Sequence, residues 1–157
     1  MKVLVVYDSQ YGNTEKIAQA IGAAFPADTV KVVKVDAAKP ADLAGIDLLI
    51  VGSPTQGGRG TQSVQKFLSD IPAGALKNVK VAAFDTRFQA KEKGFALRLL
   101  MKSVGYAAGR IASALEGKGG TPAAEPQAFF VSGREGPLHE GEVERATAWA
   151  KTLAGKG

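Results

Sequence analysis

The chain has 157 residues, 45% hydrophobic and 22% charged, an ordinary composition for one globular domain with one substantial core. It has no cysteine and one histidine, which excludes disulfides, thiolate catalysis, cysteine-ligated metals and multi-histidine metal sites. The net charge of +5 is scattered with little aromatic interleaving, which suits an anionic ligand or an acidic partner and not a nucleic acid, and no apolar run approaches the roughly 20 residues of a membrane span.

The first six residues, MKVLVV, run straight into YDSQ without the small-residue pattern of a secretory leader, so a cytoplasmic location is expected. Residues 2–7, KVLVVY, form a β-branched apolar run, the mark of a strand covered on both faces. Residues 14–25 put Ile17, Ala18, Ile21, Ala24 and Phe25 at helical spacing, and Pro26 ends that helix. Residues 29–35, TVKVVKV, read as a more polar strand nearer an edge, and residues 46–52, IDLLIVG, as a second central strand. A short helix follows over 61–70 with Val64, Phe67 and Leu68 inward, and then a buried strand over 79–84, VKVAAF. The long connection 85–120 carries helical patterns over 92–102 and 106–117. Residues 128–132, AFFVS, read as the last strand; residues 140–154 read as the last helix, with Val143, Ala146, Ala150 and Leu153 inward.

Strands that are apolar runs, alternating with helices, predict a parallel sheet covered on both faces. With right-handed crossovers, the expectation is one α/β domain over 1–157, a three-layer doubly wound sheet of five strands in the order 2-1-3-4-5. Ligands of such sheets bind beyond the carboxyl ends of the strands, at the switch point between strands 1 and 3. Three loops meet there: 8–14, 52–60 and 85–93.

In the first loop, SQYGNT, Gly12 lets backbone approach a ligand, Asn13 or Thr14 can cap the following helix, and Ser9 and Thr14 offer hydroxyls. A helix N-terminus favours an anion. The loop has neither the lysine of a Walker motif nor G-x-G-x-x-G, so neutral donors and a helix dipole suit a single phosphomonoester; a capped turn without ligand is the other reading of these residues. The second loop, GSPTQGGRG, has backbone with little side-chain cover, fit to meet the edge of a flat heterocycle or simply to turn. In the third, DTRFQAKEK, Phe88 can lie against a ring and Arg87 can meet an electron-rich edge; the alternative is a core Phe88 and a solvated Arg87.

Ser9, Gln10, Tyr11, Gly12, Asn13 and Thr14 closely resemble the FMN phosphate loop of flavodoxins, Ser/Thr-x-x-Gly-x-Thr after the first strand. The segment SPTQGG resembles the opening of the second flavin loop in flavodoxin-like proteins and related quinone reductases. By that resemblance, Ser9 to Thr14 hold the FMN phosphate. Pro54, Thr55, Gln56 and Gly57 meet the ribityl chain and one flavin edge, and Asp85, Thr86, Arg87 and Phe88 line the other. The implied function is electron transfer to a redox partner, by a monomer. A small FMN-dependent NAD(P)H/quinone-type oxidoreductase and a cofactor-free interaction module are the alternatives.

The chain departs from the flavodoxin pattern in being basic and in having no aromatic residue in loop 52–60. Its only tryptophan, Trp149, lies on the apolar side of the last helix and is expected in the core. Arg87, with Arg59, Lys91 and Lys93, is expected to stabilise reduced, anionic flavin and raise its potential. His139 reads as a solvated or capping residue, without partners for a catalytic triad. A phosphoryl receiver domain of the same topology is excluded, because Gly52, Ser53 and Pro54 stand where its acceptor aspartate would end strand 3.

Overall fold

Val3 to Tyr7 are all buried, as a strand covered on both faces requires. The computed structural model describes residues 1–88, 106–133 and 135–154. In chain order these form β1 (Val3–Tyr7), α1 (Asn13–Gly22), β2 (Val30–Lys34), β3 (Leu48–Pro54), α2 (Gln62–Asp70), β4 (Lys80–Phe88), α3 (Ala107–Gly117), β5 (Thr121–Pro122), β6 (Gln127–Val131) and α4 (Glu142–Ala154). The helix expected over 92–102 lies outside the described residues.

The sheet is parallel and runs β2-β1-β3-β4-β5, the order expected from the sequence. β6 also pairs with β4, so two segments share the fifth position. Val81 faces Pro122 and Phe84 faces Gln127, which sets the four residues 123–126 opposite Ala82 and Ala83. Pro122 and Pro126 bracket this excess; neither can donate to a ladder, and the strand bulges between them.

Alternation within the strands builds two cores. Val3, Val5, Leu48, Ile50, Ala82 and Phe84 pack against α1 and α4 on one face. Leu4, Val6, Leu49, Val51, Val81 and Ala83 pack against α2 and α3 on the other. The first core closes on an aromatic cluster: Phe84, Phe129 and Trp149 meet edge-on, with centroids 6.1–6.4 Å apart. Trp149 belongs to this core, as expected.

Two sequence expectations shift. β4 continues to Phe88, so Asp85 to Phe88 extend a paired strand where a loop was expected. In α4 the inward position is Glu142, 7% exposed, while Val143 is 40% exposed. The cause is polar. Glu142 accepts the Phe130 amide at 2.7 Å and pairs with Arg145 at 2.6 Å. The Arg145 guanidinium in turn lies 4.6 Å over the Phe129 ring. Burial raises the Glu142 pKa, but the hydrogen bonds from Arg145 and the Phe130 amide outweigh it and hold the carboxyl below its ordinary value. A lowered folded-state pKa gives stability that is present above the unfolded value and lost as pH falls through the folded one. Acid melting is therefore expected to destabilise the wild type progressively below about pH 4.3, and Glu142→Gln is expected to flatten that limb. Parallel acid curves for the two proteins would refute this.

Candidate functional site

The loop between β1 and α1 brings the chain across the switch point. Gly12 is the N-cap of α1, at φ +91° and without a side-chain cap, so neither Asn13 nor Thr14 plays that part. A Cβ at Gly12 would meet nothing within 4 Å, so the space beside it is open. Ser9 organises the loop from within: its Oγ accepts the amides of Gly12 at 3.0 Å and Glu15 at 3.3 Å, which leaves its own proton to donate. The amides of Gln10, Tyr11, Asn13 and Thr14 have no partner among the described residues. An uncapped helix start with four unpaired amides is an anion site by its donors and its dipole.

Of the other members of the loop, Asn13 and Thr14 face inward, while Gln10 and Tyr11 are exposed. Thr14, 2% exposed, shares a 2.8 Å hydrogen bond with the Thr86 hydroxyl at the end of β4. Only one of the two hydroxyl protons is used there, so one remains for a third group. Asn13 is buried and donates to the Glu135 carbonyl at 3.1 Å. Gly136, at φ +101°, packs so closely on it that a Cβ there would come within 2.6 Å of Nδ2. Tyr11 is 41% exposed.

After β3 the chain turns in a tight hairpin. Gln56 and Arg59 exchange backbone hydrogen bonds at 2.7 and 3.1 Å across Gly57 and Gly58, both at positive φ, as a type I′ turn demands. Four hydrogen bonds tie this hairpin and its first residue to the rest of the site: Gln56 Nε2 to Gln10 Oε1 (2.7 Å), Arg110 Nε to the Gly58 carbonyl (2.9 Å), the Ala107 amide to Thr55 Oγ1 (3.2 Å) and the Thr55 amide to the Thr86 carbonyl (3.0 Å). Half-buried Pro54 closes β3 opposite Thr86.

At the end of β4, Asp85 is fully buried. It accepts Arg87 Nε at 2.8 Å, Arg87 Nη2 at 3.0 Å and the Ala108 amide at 2.9 Å, and so anchors the start of α3. The Arg87 guanidinium lies 3.8 Å over the Tyr106 ring. Its charge is therefore offset by Asp85, not turned out to solvent. Asp85→Asn is expected to cost about 2 kcal/mol in chemical unfolding, by removing the charge from bonds that hold Arg87 and α3; a change under about 0.5 kcal/mol would refute that role. Phe88 pairs with Val131 through its backbone.

Thus Ser9 to Thr14, Pro54 to Gly57 and Asp85 to Phe88 converge on one end of the sheet. Three supporting residues escape the sequence reading. Asp8 accepts the Ser9 amide at 2.9 Å and the Thr61 hydroxyl at 2.6 Å, while Thr61 caps α2 through the Val64 amide. Buried Ser53 accepts the Thr61 amide at 2.9 Å and closes loop 52–60 on itself. Thr61 alone had a local signal, a threonine directly before a helical pattern.

An open parallel sheet whose first crossover helix starts bare at the switch point defines a class: doubly wound α/β proteins that take an anionic, phosphate-bearing ligand beyond β1 and β3. Within that class, a family model described as the flavodoxin domain matches residues 4–117, and the chain belongs to that family. It is 38% identical over 73 residues to a flavodoxin of Aquifex aeolicus, covering 45% of this chain and 40% of that protein. It is 35% identical over 97 residues to an NAD(P)H dehydrogenase (quinone) of Cupriavidus metallidurans, covering 48% of each. The chain spans about half the length of these curated relatives. Oxidised flavodoxin 2 from Bacillus cereus superposes over the full length of both chains, with a TM-score of 0.78 and 26% identity. No helix among the described residues is long and apolar enough to cross a membrane.

Proposed function

We propose that this chain is a flavodoxin-like electron carrier that holds FMN by its phosphate at the start of α1 and passes electrons to a redox partner. Homologues in the flavodoxin family bind FMN. The observation that carries the reading is the bare helix start: a glycine cap, four unpaired amides and open space beside them. These groups fit a phosphomonoester, with the free protons of Ser9 and of the Thr14–Thr86 pair as further donors. Pro54, Thr55, Gln56 and Gly57 would meet the ribityl chain and one flavin edge. Thr86, Arg87 and Phe88 would line the other, with Asp85 fixing Arg87 in place. When bound, the flavin supplies the redox centre, and the chain supplies placement and electrostatics.

With Arg87 offset by Asp85, the raised potential expected for the bound flavin falls to cations such as exposed Arg59. The net charge of +5 suits an acidic partner. The same reading has this flavodoxin-like domain act as a monomer in the cytoplasm.

Titration of the cofactor-free protein with FMN, followed by loss of flavin fluorescence, tests the assignment. Saturable binding in the micromolar range or tighter is expected, with riboflavin weaker; no binding would overturn it and leave a cofactor-free module. A second reading, an NAD(P)H/quinone-type oxidoreductase, is favoured by the Cupriavidus relative and by the absence of an aromatic residue from loop 52–60, which would leave a flavin face open. Rapid quinone-dependent NAD(P)H oxidation by the FMN-loaded protein would decide for it.

A further inference from the structure

Four arginines lie among the described residues. Arg87 and Arg145 are held in ion pairs with Asp85 and Glu142. Arg59 and Arg110 have no carboxylate partner among the described residues, and both are exposed. They are also neighbours. Arg110 Nε donates to the carbonyl of Gly58, the residue before Arg59 in the hairpin. That bond fixes the Arg110 head with one of its five donors and leaves four for another molecule.

Beside them is Tyr11, one of three large hydrophobic residues exposed among the described residues. The Gln10–Gln56 bond ties its loop to the hairpin. Tyrosine and arginine are residue types that dominate protein interfaces, and the hairpin backbone and the Arg110 head are already ordered here, which lowers the cost of docking. The exposed charges sit on two elements, the hairpin and the first turn of α3, and a pair spread over two elements suits a protein face over a small anion. The unpaired charges, in a chain of net +5, fix the sign of that face.

We propose that Tyr11, Arg59 and Arg110 form the docking surface for an acidic electron-transfer protein. The proposal rests on the carrier reading given above, and it places the partner on the hairpin side of the candidate flavin site. Charge pairing across such a surface speeds encounter and sets orientation, and it weakens as salt rises.

Microsomal cytochrome b5, an acidic haem protein, serves as probe. Its binding is measured by sedimentation at low and at high salt, to the cofactor-free and to the FMN-loaded chain. The expected result is salt-sensitive binding that falls at least about ten-fold in the Arg59→Glu/Arg110→Glu variant. Lys77→Glu/Lys151→Glu makes the same change in net charge at the other end of the sheet, before β4 and in the last turn of α4, and should alter binding less than about two-fold. Equal losses in the two variants would overturn the proposal, since net charge alone would then act. So would wild-type protein that ignores cytochrome b5 yet binds anionic vesicles or duplex DNA. Circular dichroism that shows both variants folded keeps the result separate from unfolding, and the comparison on the cofactor-free chain keeps it separate from any change in FMN affinity. A chain that takes no FMN but keeps arginine-dependent binding would refute the carrier reading and retain the surface.

Discussion

Gly52→Ala is expected to destabilise the protein by about 3 kcal/mol, the upper end for one methyl forced into a packed core. Gly52 lies in β3 opposite Phe84 in β4. A Cβ at that position would stand 2.0 Å from the Phe84 Cζ and 2.3 Å from both Cε atoms, so the tip of the ring points straight at the glycine. The ring cannot retreat. It is fully buried, and Phe129 and Trp149 meet it edge-on at 6.1 and 6.4 Å. Either the strands part or three aromatic rings repack. For a domain of this size the loss corresponds to a fall in Tm on the order of 10 °C. Gly52→Ala/Phe84→Leu should be less destabilised than the two single changes summed, by about 1–2 kcal/mol, because the shorter side chain yields the space. A Gly52→Ala protein that melts within about 2 °C of wild type would refute this account of the glycine.

Gly52 also shows what the sequence could and could not reveal. At the end of the run IDLLIVG it reads as the strand's last residue before a loop; that it makes room for a phenylalanine 32 positions later needs the strand register. The central strands were legible because burial on both faces leaves one mark, unbroken Val, Ile, Leu and Ala. The phase of α4 was not. From Ala146, Ala150 and Leu153 the inward stripe extends backward equally well by three residues to Val143 or by four to Glu142. Hydrophobicity chooses Val143. The folded chain chooses Glu142, because the Phe130 amide and Arg145 satisfy its carboxylate there. The split fifth strand was hidden for a similar reason: Thr121–Pro122 is too short to carry a pattern, and its place follows from pairing with Lys80 and Val81.

For the candidate site, position was legible and side-chain roles were not. Switch-point topology and one glycine suffice to select loop 8–14. What Asn13, Thr14, Asp85 and Arg87 touch depends on residues 2 to 122 positions away, and each has a partner within the protein. The loop is thus assembled by long-range polar contacts, while the groups left over for a ligand are mainly backbone amides, which carry no sequence signature of their own.

That division makes Gly12 a sharper probe than Thr14. Gly12→Val is expected to weaken FMN binding by about a hundred-fold while riboflavin binding changes less than about three-fold. Thr14→Ala removes a possible phosphate donor, but it also strips the Thr86 hydroxyl, 5% exposed, of its partner, so folding and binding fall together. Gly12 has no side chain to lose, and a Cβ there strikes nothing within 4 Å. The substitution acts on two things only. A β-branched residue resists φ +91°, so the loop twists and its amides no longer converge. The new side chain also stands in the open space beside those amides. Losing one or two hydrogen bonds to a charged group, at about 1.5–3 kcal/mol each, accounts for the hundred-fold. Riboflavin lacks the phosphate and never uses the amides, so its affinity reports the rest of the site. Isothermal titration of both ligands into wild type and variant measures the contrast. Equal losses for the two would show that the loop supports the flavin ring and not the phosphate, and FMN affinity unchanged by valine would remove the bare start of α1 from the binding site altogether.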